Sequence, residues 1–129
     1  MNRNFEELVE LPGFSGFKPA SETAIFEAEL ALGLRFAPDY RNALLEYGCI
    51  ETYGHELTGI IDSKRLNVVN ATEDMRSIYQ EFKPDCYVIE DTYIDGIIIC
   101  QNASGSVFQL DSSGDVRKIA SSLIEYLSE

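Results

Sequence analysis

From Pro84 to Val116 the chain contains no lysine and no arginine. Six acids fall inside that stretch: Asp85, Glu90, Asp91, Asp95, Asp111 and Asp115. Lys83 stands just before it and Arg117 just after it. Cations are scarce throughout, with 10 Lys and Arg against 22 Asp and Glu, a net charge of −12. Residues 1–60 and 61–129 each carry half of that excess, so no charged tail explains it. Uncompensated charge on a small domain repels itself and suits a basic partner. It disfavours anionic lipid and nucleic-acid phosphate, so neither a membrane nor a nucleic acid is expected as partner.

Long apolar runs are missing too. The longest strongly apolar run, Ile97–Cys100, is far too short to span a bilayer. The opening Met-Asn-Arg-Asn-Phe-Glu-Glu lacks the apolar core of a secretory signal. The expectation is a soluble, cytoplasmic protein. Cys49, Cys86 and Cys100 are odd in number and form no C-x-x-C, so reduced thiols acting as small hydrophobes are expected. G-x-G-x-x-G, a P-loop, G-x-S-x-G, H-E-x-x-H and H-x-E…C-x-x-C are all absent. Those absences count against the common cofactor-dependent and hydrolase classes, and no cofactor or metal is expected.

What is present reads as one domain of 129 residues with an irregular arm over residues 1–20. The arm is rich in turn formers, and its Phe14 and Phe17 are expected to tack it onto the core. Ser21 can cap a helix running to Leu32, ended by Gly33. Pro38 suits the first position of a second helix, where Tyr40, Ala43, Leu44 and Tyr47 form one stripe and Gly48 stops it. Residues 49–61 read as a strand or hairpin broken by Gly54 and Gly59, and Leu66–Val69 as a short strand. Thr72 is expected to cap a third helix, with Met75, Ile78, Tyr79 and Phe82 on one face and Pro84 closing it.

Three strands follow, Cys86–Glu90, Gly96–Gln101 and Ser106–Asp111, separated by turn signals. A last helix places Ile119, Leu123, Tyr126 and Leu127 on one face. No regular βαβ alternation occurs, so the expected class is α+β: helices flanking a central, mostly antiparallel sheet.

Few residues form a chemical constellation. His55 is the only histidine. Set six residues after Cys49, it matches no nucleophile–base spacing, and a histidine hydrogen-bonded at a strand end is expected. Asp111–Asp115 has its Gly in the fourth position and lacks the terminal Glu of a calcium loop, so it reads as a tight turn. Glu90, Asp91 and Asp95 are open to two readings. With His55 they could serve a carboxylate- or metal-dependent hydrolase. With Tyr93 and Ile94 they mix charge and apolar anchors as a protein interface does.

The segment Ile25–Gly48 resembles the opening helices of the SUKH superfamily, the Smi/Knr-like proteins. Ile25, Glu29, Leu32, Gly33, Asp39, Tyr40, Leu44, Tyr47 and Gly48 fall in register with that pattern. Phe36 replaces its usual Leu, and Ala37 takes its proline position with Pro38 one place later. Gly54–Ile60, Leu66–Val69, Tyr87–Glu90, Ile94–Ile97, Gly105–Gln109 and Ser122–Leu127 resemble a bacterial branch, so the likeness covers roughly 21–128. It implies a SUKH-like α+β domain over 21–129. It also implies an immunity protein that binds the toxic C-terminal domain of a cognate effector, often a nuclease or deaminase, without catalysis. A regulatory interaction scaffold is the alternative role implied by fungal relatives. On the immunity reading the expected partner is a basic toxin domain. The expected contacts are Glu56, Glu90, Asp91, Tyr93, Asp95, Asp111 and Asp115.

Overall fold

A computed structural model describes residues 5–128. The first four residues of the arm and Glu129 lie outside the described residues. Ser21 accepts a hydrogen bond from Ala24 N at 3.1 Å and opens helix α1, Glu22–Leu32. Ile25, Ala28 and Leu32 turn its buried face inward. Gly33 ends it in the left-handed region at φ 67°, where a side chain would be strained. Helix α2, Pro38–Tyr47, buries Tyr40, Ala43 and Leu44. It stops at Gly48, where a Cβ would overlap the Lys18 carbonyl.

The arm is built into the domain. Residues 5–10 form a 3-10 turn that buries Leu8, and Leu11 follows into the same core. Strand β1, Ser15–Gly16, pairs antiparallel with β2, Ile50–Thr52, which pairs in turn with β3, His55–Glu56. Phe14 packs edge-on against Tyr47 with centroids 5.0 Å apart, whereas Phe17 is exposed.

Helix α3 spans Val68–Ile78 and corrects several expectations. Residues 66–69 are no strand: Asn67 caps α3, its side chain accepting from Val69 N and Asn70 N. The pair Val68-Val69 looks β-like by propensity, but this cap overrides it. Thr72 lies inside the helix and is buried, its hydroxyl accepting from Val88 N at 3.0 Å. The helix also ends before Phe82, and Ile78 faces solvent.

Strands β4 (Cys86–Asp91), β5 (Ile98–Asn102), β6 (Val107–Leu110) and β7 (Val116–Ala120) form an antiparallel meander in that order. Alternation sends Tyr87, Ile89, Ile99 and Val107 into a core shared with α1, α2 and α4, Leu123–Leu127. Cys86, Val88, Ile98, Cys100 and Leu110 face a second cluster with Phe82, against which Ala71 and Met75 of α3 pack. Two faces covered by apolar groups explain the continuous Ile98-Ile99-Cys100 run. Strand β7 was not expected: Ile119 belongs to it, and the last helix begins only after Ser122. The class is α+β, as expected, with two antiparallel sheets.

In such a meander the β4–β5 and β6–β7 turns share one end of the sheet. The β5–β6 turn shares the other end with the starts of β4 and β6. That second end is stitched by polar bonds. Tyr87 OH accepts from Ala37 N at 2.9 Å and donates to Gln101 Oε1 at 2.6 Å. Asp39 accepts from Gln101 Nε2 at 3.1 Å and from Leu123 N at 2.8 Å. The residues entering α2 are thereby fixed to the sheet and to α4.

Candidate functional site

The β4–β5 turn, residues 92–97, holds two non-glycine residues in the left-handed region, Tyr93 at φ 57° and Asp95 at φ 53°. That conformation costs an L-residue roughly 1–2 kcal/mol. Local bonds hold it. Asp91 Oδ1 accepts from Tyr93 N at 2.9 Å, and Thr92 Oγ1 accepts from Ile94 N at 3.2 Å while donating to Ile97 O at 2.8 Å. The product is a fixed tip on which Tyr93 is 62% and Ile94 64% exposed.

The neighbouring β6–β7 turn is closed by Asp111. Its Oδ1 accepts from Ser113 Oγ at 2.6 Å, Ser113 N at 2.9 Å and Asp115 N at 3.1 Å. These donors, the Ser113 hydroxyl foremost, hold the Asp111 carboxyl below the usual range. The two turns touch: a Cβ at Gly96 would sit 3.3 Å from Ser112 Cβ. Asp91, Asp95, Asp111 and Asp115 therefore gather at one end around Tyr93 and Ile94. Glu81 joins them, since a Cβ at Gly114 would meet its Oε1 at 2.8 Å. Glu81 lies outside the cation-free stretch, and only the fold brings it there.

Glu90 does not belong to that display. Expected on the exposed acidic surface, it is 5% exposed. Its Oε1 accepts from the Tyr126 hydroxyl and lies 2.9 Å from His55 Nδ1, while Oε2 accepts from Glu56 N at 3.0 Å. The carboxylate ties β3, β4 and α4 together. Its burial follows from a register shift between Val88 and Glu90 that turns Ile89 and Glu90 inward in succession. Burial and the Glu90 carboxylate together push the Tyr126 hydroxyl pKa well up. His55 is hydrogen-bonded in a short strand, as expected.

Glu56 is half-buried and ion-paired with Arg65, whose guanidinium holds its carboxyl below the usual range. Arg65 also lies over the Tyr93 ring at 5.7 Å from the centroid. Lys83 stands 4.9 Å over the Phe108 ring. Cations missing from the sequence stretch are thus supplied from outside it.

A hollow of about 140 Å³ beside the tip is lined by Lys64, Arg65, Asp74, Asp91 and Tyr93 among others, and reaches neither His55 nor Glu90. The carboxylates of the hydrolase reading are thus divided between a buried bolt and a solvated turn. Among the described residues no group of three or more His, Cys, Asp or Glu is placed to hold a metal ion. Cys49, Cys86 and Cys100 are unpaired and buried, and burial pushes the Cys49 thiol up to about 11.

The SUKH_6 family, described as SMI1-KNR4 cell-wall, matches residues 22–127. Its match covers most of the chain, and the chain belongs to this family. No curated protein matches it. Among the described residues, no helix is long and apolar enough to cross a membrane.

Proposed function

We propose that this chain is a cytoplasmic immunity protein that binds the toxic domain of a cognate effector and neutralises it by stoichiometric occlusion. The observation that carries the reading is the tip at residues 92–97: two residues in the left-handed region present exposed Tyr93 and Ile94 among Asp91, Asp95, Asp111 and Asp115. Strain retained on a rigid, exposed turn favours a recognition role, and aromatic anchors beside charge are what interfaces select. Family membership supports a binding rather than a catalytic protein. A nuclease-type toxin offers a basic cleft for phosphate, and a carboxylate cluster can occupy such a cleft and speed encounter.

Glu56 and Glu90 enter this reading differently from the other acids. Glu56 contributes only if a partner displaces Arg65, and Glu90, buried, ties β3, β4 and α4 together. The test is identification of a neighbouring gene for an effector and co-expression with that effector's C-terminal domain. Wild type should protect, and a folded variant with Tyr93→Ala and Asn at 91, 95, 111 and 115 should not. Full protection by that variant would sink the acidic tip as the contact surface. Failure of wild type to bind any such domain would sink the immunity reading itself.

A further inference from the structure

At the stitched end of the sheet, opposite the acidic tip, α1 and α2 diverge around a groove of about 720 Å³. Its walls carry Phe26 and Leu30, four residues apart on α1 and 55% and 64% exposed, with half-buried Leu34 beyond them. One exposed apolar residue on a helix is ordinary. An i, i+4 pair beside a concavity, continued by a third residue, is a patch of the kind that marks a contact surface.

The charged side chains that line this groove sum to the opposite sign from the protein. Two guanidinium groups line it, Arg35 and Arg41. Arg35 is exposed and, among the described residues, has no hydrogen-bond or ion-pair partner. The one lining carboxylate, Glu29, is already engaged: it accepts from Phe36 N at 2.9 Å and pairs with Arg41 at 3.6 Å. The first turn of α2 opens beside it at Pro38, and Ala37 at the N-cap offers no side-chain acceptor. The lining therefore carries net positive charge on a domain of net −12.

We propose that this groove docks an acidic amphipathic helical segment of a partner protein. Apolar side chains of the segment would enter between Phe26, Leu30 and Leu34, and a flanking carboxylate would meet Arg35. Such helix-in-groove recognition uses anchors spaced as Phe26 and Leu30 are. A second copy of this chain is disfavoured as occupant, because two −12 domains repel at close range. A basic segment is disfavoured by Arg35 itself. The inference stands apart from the immunity reading, whose contact surface is the other end of the sheet.

The experiment is selection of a displayed library of random peptides on the full chain, repeated on Leu30→Glu and on Arg35→Glu. Both positions are exposed and unpartnered, so both variants should fold, which circular dichroism checks. Enriched peptides should carry Leu or aromatic residues three or four apart with Asp or Glu beside them. Their affinity should fall at least about tenfold on either variant, the loss of one anchor contact. Enrichment of basic peptides, no enrichment, or peptides indifferent to both substitutions would overturn the proposal. So would a concentration-dependent dimer in sedimentation that Leu30→Glu abolishes, which would assign the groove to a second copy. Toxin protection is a separate assay, so either proposal can fail alone.

Discussion

Asp39 and Asp111 are both aspartates that accept several hydrogen bonds, at opposite ends of one sheet. Asp39 reaches partners 62 and 84 residues away along the chain, Gln101 and Leu123. Asp111 reaches no further than Asp115, four residues on. One carboxylate joins segments that are remote in sequence, and the other closes its own turn. The difference teaches what each end is for. Removing a long-range acceptor strands buried donors in several elements, so the cost falls on folding. Removing a local acceptor leaves the rest of the domain intact, so the cost falls on whatever the turn recognises.

That contrast can be broken by measurement, beginning with the largest effect. Asp39→Ala should destabilise the domain by about 3 kcal/mol in urea unfolding, because Gln101 and the Leu123 amide lose their acceptor. A change near zero would show that the stitched end carries no folding energy. Glu90→Leu should cost about 2 kcal/mol in the same assay, since it leaves His55 and the Tyr126 hydroxyl without their carboxylate. Glu90 thereby behaves like Asp39, although its sequence neighbours are the exposed acids.

The third outcome concerns the display itself. Asn at positions 91, 95, 111 and 115 together should leave the urea midpoint close to that of wild type. The same variant should slow association with the proposed toxic partner about tenfold at low salt and flatten its salt dependence. A large loss of stability instead would make the acidic end structural. Smaller still, Asp95→Gly should stabilise the domain by about 0.5 kcal/mol, read as a slightly higher melting temperature, because glycine adopts φ 53° without strain.

The smallest effect is a pH dependence. Asp111 has a folded-state pKa held below its unfolded value. Its contribution is therefore complete above the unfolded carboxylate pKa, about 3.9, and is lost as pH falls through the lower folded value. The stability difference between wild type and Asp111→Asn should be constant at neutral pH and shrink below that range. A difference that instead grows on acidification would reverse the assignment.

The family pattern is legible because its residues do local or stitching work. Ser21 and Gly33 bracket α1 by the chemistry of caps, and Pro38 and Gly48 bracket α2 in the same way. Glu29, Asp39 and Tyr40, which carry the resemblance, cap Phe36 N, tie Gln101 to Leu123 and bond Thr58. They define the fold and say little about a partner. The start of α3 was hidden by two valines that read as strand. Strand β7 was hidden because Val116–Ala120 puts Arg117 and Lys118 on an edge and has no apolar run.

The site was legible in part. The acids Asp91, Asp95, Asp111 and Asp115 could be grouped by sequence because they share the cation-free stretch from Pro84 to Val116. Glu90 could not be separated from them, because the irregularity after Val88 leaves no mark in composition. Glu81 could not be added, because only tertiary folding carries it to Gly114. The groove was invisible, since Phe26 and Leu30 look like core residues until the helix face is known.

The hydrogen bonds that shape the turn close between Asp91 and Ile97. The segment is therefore a self-contained cassette on a hairpin whose support lies behind it. Its exposed side chains can be exchanged without renegotiating the core, so under the proposed function one scaffold would be re-addressed to a new partner by a handful of substitutions. A grafting experiment, moving residues 91–97 between related hairpins, would carry the address without the building.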